Sequence, residues 1–352
     1  MSRKGIIAIS LALLAIASAC GGSGDATTTT AAVTTTVLAA TTTTAAGETT
    51  TTAAGETTTT TAAPIEMMDL NIALFPSLDY AAFYVGLEAG IFEQHGLNVN
   101  VEHIFTGTGL FSAITSGSKD LATNSLTSGA VAITNGLPLK LVSLASNQPI
   151  EGNTEVLVRQ DSPIENWIDL EGADVMSINL QGLFHLGVLL AVESEGGDPA
   201  SVNSLPNSPT DAPPALEAGR VDAIVIQDPF LALTKAEYDF RVLGNPFSAF
   251  EFQLPVGNFW TSIETAEAKP ELLRRFKEAL AESTEYALAN PDLLLGVIPT
   301  YTDLEPDQLG TITLPDYATE INEEGLLAML EKMLGYGWMT YIPSPTQIIA
   351  DL

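Results

Sequence analysis

Residues 104–136 read IFTGTGLFSAITSGSKDLATNSLTSGAVAITNG, and the fold follows from how that stretch is parsed. Its pattern is loop, helix, strand, loop, helix. Thr106-Gly107-Thr108-Gly109 follows an apolar alternating run, and glycine there lets the backbone turn tightly and approach a ligand. Thr108 is suited to cap a short helix carrying Leu110, Phe111 and Ile114, with Gly117 at its end. Leu121–Asn124 reads as a short buried strand. Ser125-Leu126-Thr127-Ser128 repeats the arrangement, with hydroxyls at the strand's C-terminal end and a second helix closed by Asn135-Gly136. Two helix N-termini then face one crevice, each offering unpaired N–H groups and a positive dipole end. That is a solute-binding design, but two ordinary capped βα units have the same pattern, and both readings stand at this point.

Upstream, Asp69–Phe75 alternates like a strand and Pro76-Ser77-Leu78-Asp79-Tyr80 forms a turn at its end. Ala81–Phe92 follows as a helix with Phe83, Leu87 and Phe92 near helical spacing, and Gly96 introduces a strand over Asn98–Ile104. The order βαβαβα predicts a mostly parallel sheet with right-handed crossovers. Ligands lie beyond the C-terminal ends of such strands, so Pro76–Tyr80, Thr106–Gly109 and Ser125–Ser128 are expected to converge.

The N-terminus reads as targeting sequence. Arg3 and Lys4 precede an apolar run from Ile6 to Ala17, too short for a comfortable membrane span. Ala17-Ser18-Ala19-Cys20 resembles a bacterial lipobox in which Ala17 replaces the favoured leucine. Cys20 is the only cysteine, and lipid attachment accounts for it; ordinary cleavage leaving a free thiol is the bland alternative. From Gly21 to Pro64 the chain is threonine-rich, with TTTTAAGE occurring at Thr41–Glu48 and again at Thr49–Glu56. It has no apolar periodicity, so it is expected to be a disordered tether lifting the folded part off a membrane.

At 352 residues the chain accommodates two cores. One cysteine excludes an internal disulfide framework and a cysteine-rich metal site. With 43 acidic against 13 basic residues, phosphate-backbone partners are disfavoured and no nucleic acid is expected.

YVGLEAGIFEQHGLNVNV (84–101), the Gly-Thr loop, GSKDLATNSL (117–126), NGLPLKLVS (135–143) and LEAGRVDAIVIQDPF (216–230) together resemble the SsuA/THI5-like (NMT1-like) solute-binding proteins of ABC importers. The resemblance runs from about Leu70 to Tyr317 and rests on the order and spacing of the segments. It implies a periplasmic-binding-protein type II fold: two α/β lobes, two crossover segments and a ligand cleft between them. It also implies a sulfonate, taurine, nitrate or pyrimidine-precursor type of solute, permease and ATPase subunits as partners, and an extracytoplasmic location on the outer face of the cytoplasmic membrane. A monomer without cofactor or metal is expected.

The chain divides on this reading into a signal peptide (1–19), tether (20–64), first lobe (65–158), second lobe (159–243), and a return to the first lobe with C-terminal helices (244–352). Glu155–Arg159 reads as the strand crossing out, with Arg159 a hinge support, and Arg241–Leu243 as the return crossing. Within the second lobe, Val175–Ile178 is a strand, Leu183–Glu195 a helix and Leu205–Asp211 a loop. Pro213-Pro214 starts a helix ended by Gly219, and Asp222–Ile226 is a strand leading to Gln227-Asp228-Pro229. Leu272, Leu273, Phe276, Leu280 and Ala287 make an amphipathic helix after Lys269-Pro270, and Leu326–Leu334 belongs to helices bracing the first lobe.

Candidate contacts come from these loops: Ser77, Asp79 and Tyr80; Thr106, Gly107, Thr108 and Gly109; Ser125, Thr127 and Ser128; Asn179, Gln181 and Gly182; Gln227 and Asp228; Asn258 and Trp260. Relatives that bind anions commonly carry a Gly-hydroxyl pair at the second lobe's first helix. Here Asn179-Leu180-Gln181-Gly182-Leu183-Phe184-His185 keeps the glycine and lacks the hydroxyl, which weakens the case for sulfonate or nitrate. Tyr80, Phe83, Tyr84, Phe184 and Trp260 suit either a flat aromatic ligand or the core. Asp79 and Asp228 suit either ligand contact or turn fixation, and His185 suits a structural role on an apolar helix.

An enzyme is the competing class, including a pyrimidine-precursor synthase on this fold. The chain has only His95, His103 and His185, no HExxH, GxSxG or Walker pattern, and no cysteine cluster such as the related fungal synthases carry. A surface sensor or adhesin on a threonine stalk is the third reading.

Overall fold

The computed structural model describes residues 65–148, 153–206, 208–250 and 254–352. Cys20 and the segments expected to be a signal peptide and a threonine-rich tether lie outside the described residues. The first part of the chain runs β1 (Met68–Leu74), α1 (Ala81–Glu88), α2 (Ile91–Gln94), β2 (Leu97–His103), α3 (Gly107–Thr115), β3 (Leu121–Thr123), α4 (Leu126–Thr134) and β4 (Leu139–Asn147). It continues as β5 (Thr154–Arg159), β6 (Asp174–Ser177), α5 (Leu183–Ser194), β7 (Asn203–Pro206), α6 (Ala212–Glu217), β8 (Ala223–Gln227), α7 (Phe230–Glu237) and β9 (Phe240–Gly244). The last part is β10 (Pro255–Ser262), α8 (Ile263–Ala268), α9 (Pro270–Ala289), α10 (Pro291–Val297), β11 (Asp316–Tyr317), α11 (Glu323–Gly335) and α12 (Pro345–Ile348).

These strands build two sheets, ordered β11-β4-β10-β3-β1-β2 and β7-β6-β8-β5-β9. Each has a parallel trio, as the βαβ pattern predicts: β2-β1-β3 in the first and β7-β6-β8 in the second. Both sheets are nevertheless mixed. β10 inserts antiparallel between β3 and β4, and β5 runs antiparallel to both β8 and β9. Both faces of each sheet are covered, because alternate residues feed different cores. β1 sends Leu70, Ile72 and Leu74 into one cluster and Ala73 into another. β5 does the same, with Val156 and Val158 on one face and Leu157 on the other.

Several expected boundaries move. Thr154–Arg159 already pairs within the second sheet, so the outward crossing lies between Asn147 and Thr154, ahead of residue 159. Phe240–Gly244 is also in the second sheet, so the return follows Gly244. Arg159 sits inside the second lobe, donating to the carbonyls of Leu216 and Val221 at 3.4 and 3.1 Å. The expected loop at Leu205–Asp211 begins as the edge strand β7. The single helix over Ala81–Phe92 breaks at Gly90, whose φ of 70° is left-handed.

The amphipathic α9 buries Leu272, Leu273, Phe276, Leu280 and Ala287 as its spacing predicts. Phe83, Phe92, Phe259 and Phe276 form an edge-and-face cluster there, so Phe83 is core. Tyr84 stacks on Tyr301 at 3.9 Å and is buried as well. The C-terminal segment does more than brace the first lobe. α11 packs Leu326, Met329, Leu330 and Met333 into a cluster shared with Leu183, Leu186 and Leu190 of α5. Beyond α11, Trp338 stacks on His185 at 4.7 Å, and the Tyr336 hydroxyl donates to Glu193.

α4 lies so close to β10 that Gly129 has no room for a side chain: a Cβ there would stand 2.1 Å from Cζ2 of the fully buried Trp260. Overpacking of this kind costs about 1–3 kcal/mol. Gly129→Ala is expected to lower the urea midpoint of unfolding by that amount of stability. An unchanged midpoint would mean that α4 is free to shift, and that the helix carrying Ser125 and Ser128 is loosely held.

Candidate functional site

The loops at the C-terminal ends of β1, β3, β6 and β8 meet around two adjoining cavities. The outer one is about 300 Å³ and lies between α3, α4 and residues 179–181 of the second lobe. The inner one is about 60 Å³ and is walled by the Phe75–Tyr80 turn, Ser125, the start of α5 and Gln227. Gly107, Asn124 and Asn179 line both and form the neck between them.

Local sequence explains how the walls are set. Thr106, in extended backbone, caps α3 by accepting from the Gly109 N–H at 3.3 Å; the cap is therefore Thr106, and Thr108 lies within the first turn. The helix starts two residues earlier than expected because Gly107 and Thr108 already adopt helical geometry. Ser125 caps α4 through the Ser128 N–H at 3.2 Å, and its hydroxyl also meets those of Thr127 and Ser128 at 2.9 Å each. Asn124 ties the two loops together: its amide donates to the Gly107 carbonyl at 3.1 Å, and its Oδ1 accepts from the Ser125 N–H at 2.9 Å. In the second lobe, Gln181 has φ +57°, an uncommon conformation for a residue other than glycine. Its N–H donates to His185 Nδ1 at 2.9 Å, which fixes the loop. Burial lowers the His185 pKa to about 4, keeping that ring neutral and able to accept.

Asp79 is the carboxyl of the inner cavity. It is buried, and it accepts from the Ser77 hydroxyl at 2.7 Å, the Ser146 hydroxyl at 2.9 Å and the Gln227 amide at 3.4 Å. Desolvation raises its pKa, and the three side-chain hydrogen bonds pull it back down. Ser146 belongs to β4 and Gln227 to β8, so one carboxyl joins both sheets. Among the described residues, Asp79 is the only carboxyl lining either cavity, and no lysine, arginine or histidine lines them.

Of the expected contacts, Ser77, Asp79, Tyr80, Gly107, Thr108, Ser125, Ser128, Asn179, Gln181 and Gln227 line one or both cavities. The others line neither cavity. Thr106 and Gly109 are spent on the α3 cap, Thr127 is fully buried with its hydroxyl against that of Ser125, and Gly182 starts α5. Trp260 is core: its indole N–H donates to the Asn124 carbonyl at 3.2 Å and its ring meets Phe111 edge-on. Asn258 is buried on β10, its amide donating to the Val256 carbonyl at 2.8 Å. Phe184 lines the inner cavity. Sequence reading missed Asn124, Ser146, Phe111 and Val256; Asn124, directly before a capping serine, carried a local signal, whereas Ser146 needed the sheet order.

Asp228 also lies outside both cavities. Its carboxylate accepts from the N–H groups of Ala232 and Thr313 at 3.1 and 3.2 Å, closing the first turn of α7. Burial pushes its pKa up to about 7.

A family model described as NMT1/THI5 like matches residues 77–293. The formylaminopyrimidine-binding protein of Halalkalibacterium halodurans is 24% identical over 277 residues, 76% of this chain and 78% of that protein. The taurine-binding periplasmic protein of Escherichia coli K12 is 24% identical over 204 residues, 58% of this chain but only 62% of that protein's length. Among solved structures, the periplasmic aliphatic sulphonate binding protein SsuA from Escherichia coli superposes with a TM-score of 0.65 at 17% identity, covering 80% of this chain and 97% of that one.

The raised pKa of Asp228 has a measurable consequence. Unfolded, the carboxyl loses its proton near 3.8; folded, near 7. Between those values the native state binds the extra proton, so this group's contribution to stability falls as pH rises through the window, at about 1.4 kcal/mol per pH unit. Urea unfolding of parent and Asp228→Asn from about pH 4 to 8 is expected to show the variant gaining on the parent as pH rises, with the gain levelling off above about pH 7. Parallel profiles would contradict the burial described here.

Proposed function

The chain belongs to the NMT1/THI5-like family, and on that premise we propose that it is the extracytoplasmic solute-binding component of an ABC importer. It captures a small organic solute of the sulfonate, taurine, nitrate or pyrimidine-precursor type and delivers it to permease and ATPase subunits. The observation that carries this reading is the cleft itself. Asp79 from one sheet and Gln227 from the other converge on a cavity that loops of both lobes wall in. The names of the two relatives, both binding proteins, support binding without chemistry. In this proposal solute closes the two lobes on each other. Cys20 carries the lipid, the threonine-rich segment is the spacer, and the protein acts as a monomer on the outer face of the membrane.

Closure on solute stabilises the folded chain by mass action, about 2.7 kcal/mol at a hundredfold excess over the dissociation constant. Thermal unfolding with taurine, ethanesulfonate, nitrate and 4-amino-2-methylpyrimidine is expected to give a concentration-dependent rise in Tm for at least one of them. Gly107→Val tests where that solute sits. The backbone of Gly107 has no left-handed strain to relieve, but a Cβ there would stand 2.8 Å from Asn179 Oδ1 across the neck. The variant is expected to fold and to bind the solute at least about tenfold more weakly, roughly 1.4 kcal/mol. Parent-like affinity would remove the neck from the site. Conversion of a solute to product would overturn the binding-only reading.

A further inference from the structure

Resting on the solute-binding reading, we infer that Trp338, which lines neither cavity, is a positioning residue for solute binding. It orients His185, and His185 holds the Gln181 loop that walls the outer cavity.

The chain places Trp338 by a local device. α11 ends in two nested hydrogen bonds: the Trp338 N–H donates to the Met333 carbonyl at 3.0 Å, and the Gly337 N–H to the Leu334 carbonyl at 2.9 Å. This helix ending needs a left-handed residue between them, and Gly337 supplies it with φ +72°. α11 is itself fixed, because Leu326, Met329, Leu330 and Met333 share a cluster with Leu139 and Leu141 of β4. A second anchor is Glu193 of α5, which accepts from the Tyr336 hydroxyl and pairs with Lys332 at 3.6 Å. Tyr336 and Trp338 consequently pack against the cores of both lobes.

The Gln181 loop needs that support. Its φ of +57° is a backbone state that persists only where the surroundings hold it. What holds it is the hydrogen bond from the Gln181 N–H to His185 Nδ1 at 2.9 Å. An accepting Nδ1 means that the neutral ring carries its proton on Nε2. The last torsion of a histidine side chain is broad, so the hydrogen bond alone leaves the ring plane loosely set. Trp338 removes that freedom: its ring lies on the imidazole face, with centroids 4.7 Å apart and planes 28° from parallel. Leu180 and Gln181 line the outer cavity and Asn179 lines both. A wall contributed by the second lobe is thus set by a residue carried on α11. By reciprocity, solute resting on that wall favours the stack in turn.

Hydrogen exchange at the Gln181 amide, measured without solute, is the first arm of the test. Trp338→Ala is expected to speed exchange there at least about fivefold, the effect of weakening one hydrogen bond, with the amides of α9 unchanged. Trp338→Phe keeps an aromatic face and is expected to stay close to the parent. His185→Phe keeps the stack and removes the acceptor, so it speeds exchange by itself, and adding Trp338→Ala to it is expected to add nothing. No acceleration in Trp338→Ala, or equal acceleration with and without His185, overturns the proposal. Should Trp338→Ala unfold, Trp338→Leu, apolar but without a ring, takes its place. The second arm is titration calorimetry with taurine, ethanesulfonate, nitrate and 4-amino-2-methylpyrimidine. Whichever binds the parent is expected to bind Trp338→Ala at least about fivefold more weakly and Trp338→Phe normally. Parent-like affinity in Trp338→Ala overturns the link to binding. If none of the four binds the parent, the solute-binding reading fails, and the exchange arm alone decides whether Trp338 positions the loop.

Discussion

One buried carboxyl is hydrogen-bonded by groups from both sheets. Asp79 lies in the turn after β1, yet the groups that satisfy it come from its own turn, from β4 and from β8. A buried carboxyl without a cation is costly unless hydrogen bonds are arranged around it, so those three segments have little freedom. Ser146 shows how far the constraint spreads. Its hydroxyl donates to Asp79 and accepts from the Gly257 N–H at 3.2 Å, and a Cβ on Gly257 would stand 2.8 Å from the Asp79 Cβ. The insertion of β10 beside β4, the seat of Asp79 and the floor of the cleft are therefore one arrangement.

The rest of the site is built on capped helices whose starts are set by short polar side chains. Thr106, Asn124 and Ser125 use their oxygens on neighbouring backbone groups, which fixes two loops at the neck. Across from them, Gln181 takes a strained backbone held by His185, and His185 is held in turn by Trp338 from the segment after α11. The C-terminal segment thus reaches the cleft indirectly, through an aromatic stack on the back of α5.

Much of this was legible in the sequence because its cause is local. The Gly-Thr loop, the two helices after it, the turn around Asp79 and the amphipathic α9 all follow from spacing and capping. What the sequence hid depends on distant partners. β10 joins β3 and β4 from more than a hundred residues away, so nothing near Leu121 or Leu139 announces that they are not adjacent strands. That insertion also carries Asn258 and Trp260 into the core, although their position after a crossing suggested the cleft. Thr106 and Thr108 are equivalent as caps on paper; the strand's actual end decides between them. Asp228 before a proline had the composition of a ligand contact, but its carboxylate faces α7 and Thr313.

A cleft that draws on both lobes is most directly tested by hydrogen exchange, with and without whichever screened solute raises Tm most. Solute is expected to slow exchange together at amides 107–111, 125–129 and 179–183 and at the end of β8 near Gln227, leaving the α9 face of the first sheet unchanged. Protection confined to one lobe, or lying away from these loops, would contradict the site described here.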